Sequence, residues 1–172
     1  MRAAEADRLA NELTSAAAAG DTARAELLLQ NGAEINRANR FGRTPVQVMM
    51  MGSERMASLL LLHGANPNIL DASTGATPLH DAAREGFLLT VQLLVRAGAD
   101  VTALDYSGRS PAKYALQAGH AHIAKRVQCV GPSSGDSVFG QHHGGDSHRL
   151  HAHTHTHTEQ GDETYSRNSL LK

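Results

Sequence analysis

Residues 74–100 read TGATPLHDAAREGFLLTVQLLVRAGAD, and this stretch decides the fold. Thr77 suits the N-cap of a helix and Pro78 its first position, where the missing N–H of proline costs nothing. Gly86 supplies the permissive backbone that a tight turn between two helices requires. Gly98 then ends a second helix. The stretch therefore predicts two short helices joined by a glycine turn and followed by a loop.

Apolar residues recur at helical spacing in both predicted helices. They are Leu79, Ala82 and Ala83 in the first helix and Leu88, Val91, Leu94 and Val95 in the second. This spacing places them on one side of each helix. Alanine is small, so neighbouring units can approach closely there. We expect a thin, layered core of Ala, Leu and Val, in keeping with an aromatic content of only 3%.

The pattern repeats along the chain with a period near 33 residues. Pro45, Pro78 and Pro111 are each 33 residues apart, and so are Gly42, Gly75 and Gly108. A period of this length is typical of a stacked-repeat solenoid. We predict a repeat domain of residues 1–130 with units at about 6–35, 36–67, 68–101 and 102–130. A solenoid offers a partner a long concave surface and has no deep central crevice.

Two units depart from the pattern. The first is abbreviated and lacks the Thr-Pro start, as expected of an end unit that faces water. In the second, Thr44 to Gly52 is 8 residues, whereas Thr77 to Gly86 in the third is 9. Its first helix reads PVQVMMM in place of PLHDAAR, so one residue is missing. Such a local violation suggests function, and it predicts that the second unit is the least stable.

Composition narrows the class of protein. The chain has 172 residues and a formal net charge of −1, so no basic surface points to nucleic acid. The sequence has no apolar leader and no run of 18 apolar residues, so we expect neither a secretory signal nor a membrane span. The single cysteine, Cys129, excludes an internal disulfide and is predicted to be a small hydrophobe at the end of the last helix. We expect a protein of the cytoplasm and nucleus.

Residues 131–172 differ in composition from the repeats. They are rich in Gly, Ser, His and Thr and contain few large apolar residues, which predicts a disordered tail. Its histidines include His148, His151, His153, His155 and His157. Imidazoles bind Zn, Ni or Cu, but no Cys or carboxylate joins them at a fixed spacing. We therefore predict no metal site and no cofactor.

The Thr-Pro-Leu-His start, the inter-helix glycine and the Gly-Ala ending resemble ankyrin repeats across most of residues 6–130. Two strings narrow the resemblance: FGRTPVQVMMMG at 41–52 and PLHDAAREGFL at 78–88, joined by LLLLHGANPN. Together they resemble the ankyrin-repeat inhibitors of cyclin-dependent kinases 4 and 6. Four repeats rather than five point to the inhibitor A/B branch of that family. The implied fold is all-α: an ankyrin-repeat solenoid of four helix-turn-helix units with a disordered C-terminal tail.

The resemblance implies inhibition by binding alone. Family members bind the kinase beside its ATP cleft, away from the cyclin, and tilt its two lobes. This opposes cyclin D binding and restrains the G1/S transition, a tumour-suppressor-like role. It implies kinases 4 and 6 as partners of a monomer in a one-to-one complex, with no nucleic acid or membrane. The implied contacts lie mainly on the second and third repeats: Met49, Met50, Met51, Asp71, Asp81, Arg84 and Phe87.

Two positions differ from the pattern of the family. Leu89 stands where close relatives carry an acidic residue, and Asp21 stands where some relatives carry a basic one. These differences bear on affinity for the kinase more than on membership of the family.

Each candidate contact also has a plainer structural interpretation. The three methionines would fill a shortened helix, although Met is also common at adaptable binding surfaces. Three in a row cannot all face one core, so we expect at least one to be exposed. Asp81, predicted to be exposed on the concave side, would also stabilise the helix dipole and pair with Arg84 three residues later. Phe87 is either a core residue or an exposed aromatic anchor.

His80 is the tempting catalytic candidate, but it resembles a structural histidine whose ring bonds nearby backbone and Thr groups. The repeats contain no recognisable nucleophile motif, phosphate-binding glycine loop or metal-ligand spacing. We therefore do not expect an enzyme. The alternative function is that of a general ankyrin adaptor that docks some other protein.

Overall fold

The computed structural model describes residues 2–130, which form eight helices and contain no strand. The helices are α1 (Ala3–Ala19), α2 (Thr22–Gln30), α3 (Pro45–Val48), α4 (Glu54–Leu62), α5 (Pro78–Glu85), α6 (Leu88–Arg96), α7 (Pro111–Gln117) and α8 (Ala121–Cys129). They form four consecutive pairs, so the predicted all-helical arrangement of four helix-turn-helix units is confirmed. The predicted tail, with its histidines, lies outside the described residues.

The helix pairs stack into two layers. Among the first helices of the units, α1 packs on α3 and α5 packs on α7, and the second helices pack in the order α2, α4, α6 and α8. The largest fully buried aliphatic side chains are Leu13, Met56, Leu60, Leu79, Leu94 and Ile123. Buried alanines fill the space between them, as the predicted thin core requires. Among residues 2–130, no helix is long and apolar enough to cross a membrane.

The helix starts also connect one repeat to the next. The backbone N–H of Thr77 donates to Nδ1 of His80 at 3.1 Å, which leaves Nε2 to donate to the carbonyl of Arg109 at 2.9 Å. His80 is fully buried, so its predicted structural role is confirmed. Gln47 repeats the arrangement one unit earlier and donates through Nε2 to the carbonyl of Leu70 at 3.1 Å. His80 and Gln47 therefore each join a helix to the loop of the following repeat.

The turn glycines are covered by side chains of the next repeat. Gly86 has a φ of 88°, a left-handed conformation that favours glycine, and ends α5 as predicted. A methyl group placed there would lie 2.6 Å from the ring of His120. In the same way Gly52 lies under the ring of Phe87, at 3.1 Å from such a methyl group. Glycine is thus required for close stacking as well as for the turn.

The end units differ from the sequence-based expectation. The first unit is not abbreviated, because α1 begins at Ala3 and has 17 residues. Its alanine-rich sequence favours helix, and nothing breaks the pattern before Gly20. The prediction for Cys129 is also wrong, since its side chain is exposed. The buried stripe of α8 includes Ile123 and Val127, and a residue two positions after Val127 faces away from it.

The first helix of the second unit is shortened by more than the one residue that the sequence lacks. Its first helix, α3, has only 4 residues and ends at Val48. Met49 has a ψ of 150°, so the chain leaves the helix and becomes extended before the turn at Gly52. An extended residue advances about 3.3 Å and a helical one about 1.5 Å. The extended segment therefore spans the same gap with fewer residues.

We predict that the second repeat exchanges its amide hydrogens fastest among residues 36–130. A single helical turn contributes few backbone hydrogen bonds, and regions of low local stability open most readily. Native-state hydrogen exchange should show low protection in α3 and α4 and high protection in α5 and α6. Uniform protection across these four helices would contradict the prediction.

Candidate partner-binding site

A cleft of about 650 Å³ lies across the second and third repeats. Fifteen residues line it, and they include all seven predicted contacts: Met49, Met50, Met51, Asp71, Asp81, Arg84 and Phe87. The seven predicted contacts come from the segment after α3, the loop before α5, α5 itself and the turn into α6. Stacking of the two repeats brings these separate segments into one surface.

The methionine segment is divided between core and surface. Met49 is 3% exposed and belongs to the hydrophobic core, so the expectation that it offers a contact surface needs correction. Its extended backbone turns the side chain inward, against the core, where it fills space left by the short helix. Met50 is 48% exposed, and Met51 is half-buried at the edge of the cleft. The surface that a partner can reach is therefore that of Met50 and Met51.

Asp71 is held in a tight loop turn. Its carboxylate accepts hydrogen bonds from the backbone N–H groups of Ser73 at 2.9 Å and Thr74 at 3.1 Å. Arg43 pairs with its other oxygen at 3.1 Å. The Ser73 hydroxyl hydrogen bond, supported by the backbone bonds and Arg43, lowers the pKa of Asp71 to about 2. Asp71 is therefore a charged, well-ordered carboxylate at any physiological pH.

Asp81 lies in the first turn of α5, deeper in the cleft than predicted. Its side chain is 24% exposed rather than fully accessible, and it lines the cleft together with Asp71. Burial raises the pKa of Asp81, and this effect outweighs the opposing influence of Arg84 and Arg43. Arg84 forms an ion pair with it at 3.1 Å across one helical turn. A partly desolvated carboxylate of this kind interacts strongly with an added cation.

Arg84 and Phe87 form the outer edge of the cleft. The Arg84 side chain is 53% exposed and also approaches Glu85 at 3.4 Å, so it lies between two acidic partners. Phe87 is the N-cap residue of α6 and is 42% exposed, with its ring against Gly52. An aromatic ring that is supported from below and open above suits a role as an anchor.

Arg43 and Tyr114 also line the cleft, although neither was among the predicted contacts. Arg43 holds Asp71, and its buried Nε has no hydrogen-bond partner within the described part of the chain. Tyr114 occupies in α7 the position that Asp81 has in α5, and its hydroxyl donates to Asp105 at 2.8 Å. Tyr114 follows Pro111 by three residues, just as Asp81 follows Pro78, so the repeat period alone could have identified it as a lining residue.

The two positions that differ from the expected pattern also have clear surroundings. Asp21 is the N-cap of α2 and accepts a hydrogen bond from the N–H of Arg24 at 3.0 Å. An acidic residue there stabilises a helix start, which explains it structurally. Leu89 is exposed on α6, two residues beyond Phe87.

The arrangement suits recognition of a protein surface. Exposed apolar groups from Met50 and Phe87 flank two carboxylates, each paired with an arginine. Apolar anchors beside oriented charges are typical of protein interfaces. Within residues 2–130 no group of three or more His, Cys, Asp or Glu side chains is placed to hold a metal ion.

Comparison with known proteins identifies the family of the chain. The ankyrin-repeat family, in a version with three copies, matches residues 13–105 and 52–132, so the chain is an ankyrin-repeat protein. It is 52% identical over 119 residues to cyclin-dependent kinase 4 inhibitor B of Bos taurus, covering 69% of this chain and 91% of that protein. It is 51% identical over 121 residues to human cyclin-dependent kinase inhibitor 2A, covering 70% and 78%. The chain therefore belongs to the ankyrin-repeat family of cyclin-dependent kinase inhibitors.

Proposed function

We propose that this chain binds cyclin-dependent kinases 4 and 6 in a one-to-one complex and inhibits them. Binding beside the ATP cleft opposes the activating cyclin D and restrains the G1/S transition. The observation that carries the proposal is the meeting of six accessible or partly accessible implied contact residues, all but the buried Met49, at one cleft in a chain whose relatives are named as inhibitors of such kinases. We also propose that the protein acts in the cytoplasm and nucleus.

The mechanism needs no chemistry from the inhibitor. A bound protein shifts the conformation of its partner only as far as it binds one arrangement more tightly than the other. Hydrogen bonds such as that from Nε2 of Gln47 to the carbonyl of Leu70, at 3.1 Å, tie the loops of the cleft to its helices. A rigid surface that contacts both kinase lobes therefore favours one relative position of the lobes.

Charged and apolar side chains of the cleft make different contributions to kinase binding. Asp81 offers a partly buried carboxylate to a kinase cation, and Arg84 can turn outward because much of its side chain is exposed. Met50 and Phe87 supply the apolar area, and the water that they exclude on binding strengthens the interactions of the neighbouring charges. Asp71 stays ionised, since its hydrogen bonds lower its pKa.

The proposal is tested by titrating purified kinases 4, 6 and 2 with the chain in parallel calorimetric experiments. We expect one-to-one binding to kinases 4 and 6, loss of their cyclin D-dependent activity, and no binding to kinase 2. Failure to bind kinases 4 and 6, together with capture of a different protein from cell lysate, would instead support the general ankyrin adaptor.

Truncation after Val130 should leave inhibition unchanged. The cleft and both flanking repeats lie within residues 2–130, so the predicted contacts remain in the shorter chain. Dissociation constants of the truncated and full-length chains for kinase 6 should agree within about threefold. A tenfold loss, about 1.4 kcal/mol, would show that the tail contributes directly.

A further inference from the structure

The hydroxyl of Thr90 makes an unusual hydrogen bond. Thr90 lies in the first turn of α6, is 1% exposed, and donates to the backbone carbonyl of Met51 at 2.5 Å. A threonine in a helix commonly donates to a carbonyl three or four residues earlier in the same helix. Thr14 does so in α1, where it donates to Ala10 at 2.9 Å. Thr90 instead crosses 39 residues of sequence to the preceding repeat.

The carbonyl that Thr90 holds belongs to the methionine segment of residues 49–51, which leaves the helix at Met49 and enters a turn at Met51. This segment has left the helix, so it lacks the regular hydrogen bonds that hold the equivalent residues of α5. On the side of the first repeat, the N–H of Met50 donates to the carbonyl of Ala17 at 2.9 Å. On the side of the third repeat, Thr90 binds the carbonyl of Met51. The segment is therefore fixed at two adjacent residues from opposite sides.

We propose that Thr90 is a positioning residue for partner binding, which holds the methionine segment in its binding conformation without touching the partner. The proposal rests on the proposed function, since Met50 and Met51 are the part of the segment that a kinase would reach. When only a fraction of the molecules has the competent conformation, the apparent affinity falls by that fraction. Loss of the Thr90 hydroxyl frees one of the two attachments and lowers that fraction.

Three variants separate this role from general stability. Thr90→Val keeps the shape and the branched Cβ but removes the hydroxyl, whereas Thr90→Ser keeps the hydroxyl. Thr14→Val removes a hydroxyl from another buried threonine, whose hydrogen bonds are to Ala10, Asn11 and Asn39 and not to the methionine segment. Far-ultraviolet circular dichroism first checks that each variant is folded.

Methyl NMR of the free protein, labelled at its methionine methyl groups, reads the segment directly. In Thr90→Val we expect the signals of Met50 and Met51 to shift or broaden, while that of buried Met56 stays in place. Thr90→Ser and Thr14→Val should leave both signals unchanged. For kinase 6, Thr90→Val should bind about fivefold to thirtyfold more weakly, as expected for one lost hydrogen bond, and the other two variants within about twofold of the unaltered chain.

Two results would overturn the proposal. One is a Thr90→Val spectrum in which Met50 and Met51 do not move. The other is an equal loss of affinity in Thr90→Ser, which would make the role of Thr90 one of packing. If the unaltered chain binds neither kinase 4 nor kinase 6, the proposed function is wrong, and the spectra of the free variants still decide whether Thr90 holds the segment.

Discussion

We expect Asp81→Asn to weaken kinase binding by about thirtyfold or more, roughly 2 kcal/mol, while the fold stays intact. Asp81 is only 24% exposed, so a kinase cation that reaches it completes a largely desolvated ion pair. Removal of one partner from such a pair typically costs on the order of 2–5 kcal/mol, much of it from the charge left alone. Asparagine has the same shape, so packing in the first turn of α5 is preserved. Isothermal titration with kinase 6 measures the change.

The matched control is Glu26→Gln, which removes one negative charge from α2, outside the cleft. It should leave affinity within about twofold, since a distant surface charge is screened by salt. Equal losses in the two variants would mean that overall charge, and not the contact at Asp81, governs binding. Lost binding by Asp81→Asn with a collapsed thermal transition would mean that Asp81 is structural.

The pKa of Asp81 adds a pH dependence with a definite sign. Burial raises the pKa of Asp81 above its value in the unfolded chain, so the folded state binds the proton more tightly than the unfolded state does. The resulting stabilisation is fully present below the unfolded pKa and is lost as pH rises through the folded pKa. Ionised Asp81 therefore costs stability at neutral pH, and Asp81→Asn should melt at an unchanged or slightly higher temperature. Kinase binding needs the carboxylate, so it should weaken as pH falls toward this raised pKa.

His80→Ala should destabilise the repeats by about 3–5 kcal/mol, enough to unfold much of a domain of ordinary stability. The ring is fully buried and bonds both the start of α5 and the carbonyl of Arg109. Its removal leaves a cavity and unpaired buried backbone groups. Urea unfolding followed by circular dichroism measures the loss as a lower midpoint.

Two variants test the reason for this loss. His80→Gln should recover much of the stability, because Gln47, at the same position of the second repeat, accepts from the N–H of Thr44 and also reaches the loop of the following repeat, at the carbonyl of Leu70. His63→Ala removes an exposed histidine at the end of α4 and should cost less than about 0.5 kcal/mol. Similar midpoints for His80→Ala and His63→Ala would show that the bonds between repeats do not depend on His80.

The repeat pattern could be predicted from local chemistry along the chain. Thr77, Pro78 and Gly86 act on their immediate neighbours, through capping, a fixed φ and a left-handed turn, so their effect is legible in the sequence. The buried Leu79 face followed from helical spacing for the same reason. The family resemblance then named the candidate residues, which composition and spacing could not have selected.

The tertiary structure decided how much of each contact residue's side chain is exposed. Met49 to Met51 look alike in sequence. The backbone becomes extended at Met49, whose side chain lies in the core, and Met50 is exposed. Asp81 is partly buried in a cleft that it lines together with Asp71, ten residues earlier. Thr90 reaches Met51 only because two repeats stack. Such burial and contacts arise between residues distant in sequence, and no local pattern records which of them will meet.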